Sequence, residues 1–337
     1  MQHEISLRHN YLNEGRLSTI YFGGGTPSLL SVSELDGFFS ALKRFFSWDS
    51  HCEITLEANP DDIIPAALRA WRQLGINRLS IGLQSFNDEE LKWMNRAHTA
   101  GQSESSVKMA QDAGFENISI DLIYGSRFQD LPGWEHTLTK AVALGTPHIS
   151  SYNLTIEKKT VLGVLHRRGM EPAVDEQLSG DQFLLMRDTL TGSGWQHYEV
   201  SNFAKEGFIS RHNSNYWLGH PYLGIGPSAH SFNGTSRQWN VSNNSVYARA
   251  LEKGDAFFET ETLTTRDRYN EYVLTRLRTT WGCDLNEMQR LFGDEAMRHF
   301  TAGIEKYMSF ITMEQDTVKL NTNGLLRADG IAADLFM

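Results

Sequence analysis

The chain has 337 residues, 40% hydrophobic and 21% charged, which is enough apolar material for a buried core and excludes wholesale disorder. A formal net charge of −10 argues against a phosphate-backbone binder, so no nucleic-acid partner is expected. The two widely separated cysteines, Cys52 and Cys283, exclude a disulfide framework, and no apolar run is long enough for a membrane span. The opening residues, Met1-Gln2-His3-Glu4-Ile5, have no leader-like pattern, and a reduced cytoplasmic setting is expected.

In chain order, residues 4–11 have helical spacing with no strand before them. Ser18–Phe22 predicts a short buried strand that runs into Gly23-Gly24-Gly25-Thr26-Pro27. Residues 33–46 carry a helical stripe of Leu35, Phe38, Phe39, Leu42 and Phe46. A strand over Glu53–Ala58 is followed by a helix over residues 61–74, with Asp61 or Asp62 as its cap. Strands are then expected at 78–83, 117–124 and 148–154, and helices near 88–94, 102–113, 132–144 and 175–191. This β-α alternation implies a parallel sheet. A further strand is expected at 197–203, then an aromatic and Gly-rich stretch of weak periodicity over 211–244. From residue 265 the pattern is helical (265–277, 285–292, 296–308), ending in a small β-hairpin or strand-turn over 317–320 and 324–327.

The expected class is therefore α/β: a partial, open parallel β/α barrel lacking its first strand, with a small, mostly helical C-terminal domain. The divisions are 1–200, 201–262 and 263–337.

In a parallel β/α barrel, functional groups gather at the C-terminal strand ends. There the sequence places the Gly triplet, Glu57 in Leu-Glu-Ala-Asn-Pro, Gln84 in Gly-Leu-Gln-Ser-Phe, Arg96 in Asn-Arg-Ala-His, and Asp121. Singly, each has a bland explanation: a tight turn, a satisfied structural acid, a cap, a solvated charge, a core acid. Together, a Gly cradle, two carboxylates, an amide and a guanidinium suit a ligand with an ammonium, a carboxylate and ribose hydroxyls. S-adenosylmethionine has all of these.

The order Gly-Gly-Gly-Thr-Pro, Leu-Glu-Ala-Asn-Pro, Leu-Ser-Ile-Gly-Leu-Gln-Ser-Phe, Asn-Arg-Ala-His and Asp-Leu-Ile-Tyr-Gly resembles the radical SAM core of oxygen-independent coproporphyrinogen III oxidases and their relatives. The resemblance implies that Gly24, Gly25, Thr26, Glu57, Gln84, Arg96 and Asp121 bind S-adenosylmethionine. Further on, His197–Phe203, the block His212-Asn213-Ser214-Asn215-Tyr216-Trp217, and Leu223–Ser231 resemble the HemW branch, the haem chaperones. By that resemblance haem is a second cofactor and a haem-accepting protein a partner. His212 is the candidate ligand and His230 the second, each weighed against an ordinary hydrogen-bonded structural histidine.

One departure is plain. The family carries a Cys-x-x-x-Cys-x-x-Cys loop after its first strand, whose thiolates hold a [4Fe–4S] cluster; this sequence has none, so it is not expected to hold the cluster. The expectation is a shortened chain whose first strand and loop lie upstream of Met1. Two activities remain open: a haem chaperone, favoured by the His-Asn-x-x-Tyr-Trp block, and an oxidase that decarboxylates coproporphyrinogen III. A third possibility is an interaction module built on a barrel that no longer reacts.

Overall fold

A computed structural model describes residues 1–12 and 15–337. The chain divides into two compact units. One comprises Met1–Ile20, Ser33–Glu53 and Arg211–Met337; the other comprises Tyr21–Val32 and Ile54–Ser210.

The second unit holds most of a seven-stranded sheet. Its strands are β1 (Thr19–Phe22), β2 (Glu53–Ala58), β3 (Arg78–Gln84), β4 (Asn117–Tyr124), β5 (His148–Asn153), β6 (Gln196–Glu199) and β7 (Asn202–Ala204), in the order β1-β2-β3-β4-β5-β7-β6. β2 to β5 pair in parallel, with helices in the crossovers. β1 lies at one edge with β2 as its neighbour and β6 at the other, so the sheet is an open arc and not a closed barrel.

The strand registers explain why one face of this sheet is chemical and the other is core. Side chains alternate along a strand, and partners in register share a face. Leu56, Leu79, Ile81, Ile118, Ile120 and Ile149 fall on one face and are all buried. The opposite face carries Thr55 and Glu57, Arg78 and Ser80, Ser119 and Asp121, and His148 and Ser150. A polar row costs free energy unless it is satisfied. His148 meets this by standing between Ser119 Oγ (2.7 Å from Nδ1) and Tyr198 Oη (2.8 Å from Nε2).

Most expected elements appear within a residue or two, and three differ. Neither Asp61 nor Asp62 caps a helix: they belong to a 3-10 turn, Pro60–Asp62, and the helix starts afresh at Pro65, whose fixed φ suits a first helical position. The expected strand over 197–203 is a tight antiparallel hairpin, β6 and β7, with β7 antiparallel to β5. In the tail, Thr317–Leu320 pairs with Ile311–Glu314, while Gly324 sits in a short helix, Thr322–Leu325.

In the first unit, the opening helix Gln2–Arg8 is tied to two antiparallel strands, β8 (His230–Phe232) and β9 (Ser236–Asn240). Buried Glu4 accepts from the Gly226 amide (2.8 Å), Asn240 Nδ2 (2.6 Å) and the Tyr247 hydroxyl. Arg8 donates to Ser231 Oγ at 3.1 Å and Gln238 Oε1 at 2.6 Å. The C-terminal part combines the helix Thr265–Leu277 with a long helix over Leu285–Ile304, broken at Gly293, and a three-stranded antiparallel sheet. Among the described residues, no helix is long and apolar enough to cross a membrane.

Candidate functional site

The expected cofactor residues lie on the loop after β1 (Gly24, Gly25, Thr26), within β2, β3 and β4 (Glu57, Gln84, Asp121) and beyond the helix that follows β3 (Arg96). Glu57 is held by two donors: the Tyr21 hydroxyl reaches Oε1 at 2.7 Å and the Gly24 amide reaches Oε2 at 3.1 Å. Gly23 has no room for a side chain, since a Cβ there would stand 2.4 Å from the Tyr21 ring and 2.8 Å from Glu57 Oε1. Gly24 and Gly25 both adopt φ of +75°, a left-handed conformation open to glycine, with nothing within 4 Å of where a Cβ would stand. Their backbone is thus bare towards the mouth of the arc. Thr26 opens the 3-10 turn Pro27–Leu29, which Ser28 ties to the corresponding turn after β2 through Asp62 (2.7 Å).

Arg96 and Gln84 meet over Gly82. Arg96 Nη2 donates to Asn59 Oδ1 at 2.7 Å and to the Gly82 carbonyl at 3.1 Å. A Cβ on Gly82 would fall 2.8 Å from Gln84 Nε2 and 3.2 Å from Arg96 Nη2, so the glycine makes way for both side chains. Gln84 itself has φ of +67°, at a register shift between β3 and β4. Such a bulge re-aims the side chain at the strand end, and a non-glycine residue held there stores strain of the kind that collects at binding sites.

Charge pairing predicts that Arg96 faces Glu57, Asp121 or the ligand. The structure gives it neutral acceptors, Asn59 and Gly82, while Asp61 and Asp121 act on it only through space. Desolvation pushes its affinity for the proton down, with those two carboxylates opposing. Its positive charge is therefore oriented but not neutralised by direct contact. Asp121 accepts from Ser80 Oγ at 3.2 Å, and burial pushes its carboxyl up to about 6, with Ser150 and Ser80 opposing the rise and Glu57 adding to it.

Sequence reasoning misses the residues that hold this group: Tyr21 on Glu57, Asn59 on Arg96, and Ser80 and Ser150 on Asp121; strand alternation is the signal that would place Tyr21 and Ser80 on the polar face. Buried His98 anchors the loop that carries Arg96: its Nε2 lies 3.1 Å from the Leu83 carbonyl and its Nδ1 3.9 Å from Asp61. Glu90, fully buried, accepts from Ser85 (2.5 Å), Gln129 (2.9 Å) and Ser126, joining the loops after β3 and β4.

In the first unit, His212 sits in the helix Arg211–Trp217. Glu53 caps that helix, accepting from the Arg211 amide at 3.1 Å and the His212 amide at 2.9 Å. The His212 ring is fixed from both sides, with Nδ1 2.8 Å from Thr19 Oγ1 and Nε2 3.0 Å from the Tyr216 hydroxyl. An aromatic row continues from it: Tyr216 is edge-on to His212 with centroids 5.0 Å apart, Tyr222 is edge-on to Tyr216 at 4.6 Å, and Phe232 is tilted against Tyr222 at 6.2 Å. His230 is exposed and has Trp239 as its ring neighbour, at 6.4 Å.

The Radical SAM superfamily profile matches residues 7–141. The chain is 34% identical over 279 residues to the haem chaperone HemW of Bacillus subtilis, covering 82% of this chain and 74% of that protein. The chain belongs to the HemW family. It is also 31% identical over 335 residues to the HemW of Mycobacterium tuberculosis, covering 98% of this chain and 84% of that protein. In fold it is similar to the solved structure of coproporphyrinogen III oxidase (HemN) from Escherichia coli, with a TM-score of 0.84 at 22% identity over 100% of this chain and 81% of that one. The radical SAM fold expected from the sequence is thus the fold observed.

The residues present fit S-adenosylmethionine and do not fit the cluster. An oriented Arg96, the carboxylates of Glu57 and Asp121 and the bare Gly24-Gly25 backbone match the carboxylate, ammonium and hydroxyl groups of S-adenosylmethionine. The cluster needs clustered thiolates, and Cys52 and Cys283 do not supply them. Both are buried thiols outside any disulfide, and burial pushes their pKa values up, to about 11 for Cys52 and further for Cys283.

Proposed function

We propose that this HemW-family chain is a haem chaperone: it binds haem through His212, takes S-adenosylmethionine at the mouth of the β/α arc, and hands haem to an acceptor protein. The observation that carries the haem assignment is the double anchoring of His212. Thr19 holds Nδ1 and Glu53 fixes the helix end, and this leaves Nε2 as the atom aimed at the aromatic row. A ligating imidazole characteristically has its other ring nitrogen held by a hydrogen bond, which fixes tautomer and orientation. Tyr216 and Tyr222 offer aromatic surface for a macrocycle.

The cofactor reading rests on Arg96, Glu57, Gln84 and Asp121, gathered at strand ends with Gly24 and Gly25. In it, Arg96 takes the ligand carboxylate and the acids take the ammonium and hydroxyls. When bound, S-adenosylmethionine supplies the sulfonium and the adenosyl group. The chain's own residues orient that ligand, and no radical step is assigned to them because the thiols do not fit the cluster. Cytoplasmic residence is part of the same proposal.

Titration with ferric haem, followed at the Soret band, tests the assignment. Wild type should saturate at one haem per chain, His230→Ala should bind like wild type, and His212→Ala should lose most of the affinity. Equal binding by His212→Ala and wild type would overturn the assignment.

A further inference from the structure

The Tyr216 hydroxyl lies 3.0 Å from His212 Nε2, so it covers the ring nitrogen that a haem iron would need. Thr19 Oγ1 lies 2.8 Å from Nδ1 and holds the other ring nitrogen. A ligating imidazole characteristically has its second nitrogen held in this way. Thr19 thus readies the imidazole for a metal while Tyr216 blocks it.

We propose that Tyr216 is a removable cap on His212: haem iron is ligated only when the Tyr216 side chain turns away from Nε2, and the balance between capped and open states sets how readily haem is taken up. This rests on the reading of His212 as the haem ligand. Iron and the phenol hydroxyl compete for one ring nitrogen, so the two states exclude each other. Opening needs no backbone movement, because Tyr216 lies four residues after His212 on the same helix and is 41% exposed, with solvent to turn into. Tyr222 braces the closed state edge-on, and is itself fixed by paired backbone hydrogen bonds with Phe232, at 2.8 and 2.9 Å. A ligand that binds only the open state has its affinity lowered by the open fraction. For a chaperone this has a purpose: re-capping once iron has left opposes rebinding and so favours transfer to an acceptor.

The test compares ferric haem binding to wild type, Tyr216→Phe, Thr19→Val and His212→Ala by titration and stopped-flow absorption. Tyr216→Phe keeps the ring packing and removes only the hydroxyl. It should tighten binding by about two- to tenfold, the worth of one hydrogen bond. Side-chain rotation is fast, so the gain should appear in the association rate by the same factor, with dissociation from the ligated state unchanged. Thr19→Val should weaken binding, because the imidazole loses the hydrogen bond that orients it. If His212→Ala abolishes binding while Tyr216→Phe binds no faster or more weakly than wild type, the cap is refuted and the haem assignment stands. If His212→Ala binds like wild type, the assignment fails and the cap with it.

Discussion

The Tyr21 hydroxyl donates to Glu57 Oε1 at 2.7 Å while the Gly24 amide donates to Oε2, so one carboxylate joins the end of β1, the start of its glycine loop and the end of β2. A hydrogen bond to a charged acceptor in a half-buried place contributes more than a neutral one. Tyr21→Phe should lower unfolding stability by roughly 1–2 kcal/mol, read as a shift in urea midpoint. It should also loosen the glycine loop, seen as faster amide exchange at Gly24. An unchanged midpoint would mean that the carboxylate finds equal partners in water.

Gly82 separates site geometry from stability. The atoms a new Cβ would meet are the far ends of Gln84 and Arg96, which can move aside. Gly82→Ala should therefore cost less than about 1 kcal/mol of stability. It should nevertheless displace Arg96 from Asn59 and weaken S-adenosylmethionine binding, measured by calorimetry, by roughly tenfold, in line with a lost charge-assisted contact. A fall in stability without a fall in affinity would reverse this account.

Asp121 predicts a pH dependence with a definite sign. Its carboxyl is raised to about 6, so the native state binds a proton that the unfolded chain has already released. Stability then falls as pH rises from the ordinary carboxyl range, about 4, to about 6, and stays lower above that. Asp121→Asn removes the step. The variant should gain on wild type across this window, reaching on the order of 2 kcal/mol by pH 7. Urea midpoints of the two proteins at pH 4 and pH 7 check it; parallel shifts would contradict it.

Glu53 is predicted to act on haem at one remove. It accepts both leading amides of the helix Arg211–Trp217. Glu53→Gln keeps the size and loses the charge, and should cost about 1 kcal/mol, as weakened N-caps do. Haem affinity should fall with it, while the absorption spectrum of the bound form stays that of wild type, because the ligand itself is intact.

The strand ends were legible because hydrophobic alternation and Gly-Pro punctuation locate them, and parallel topology then assembles Glu57, Gln84, Arg96 and Asp121 at one mouth. The contacts among them were not. Charge pairing suggests Arg96 on a carboxylate, but the glycine at position 82 brings a backbone carbonyl within reach, and Asn59 supplies a second neutral acceptor. The hairpin at residues 196–204 was hidden for a related reason: His197–Phe203 has strand composition throughout, and the turn at Val200-Ser201 carries neither Gly nor Pro to mark it. The grouping of Met1–Ile20 with Arg211–Met337 in one compact unit was also invisible, since it depends on Glu4 and Arg8 meeting partners more than two hundred residues away.

The most direct test of the central claim is chemical rescue of His212→Gly. The substitution leaves space where the imidazole stood, and free imidazole can enter it. If His212 is the haem ligand, the glycine variant should bind ferric haem weakly, and added imidazole should restore the wild-type absorption spectrum and affinity. His230→Gly should need no rescue. A His212→Gly protein with the wild-type spectrum before any imidazole is added would show that haem is held elsewhere.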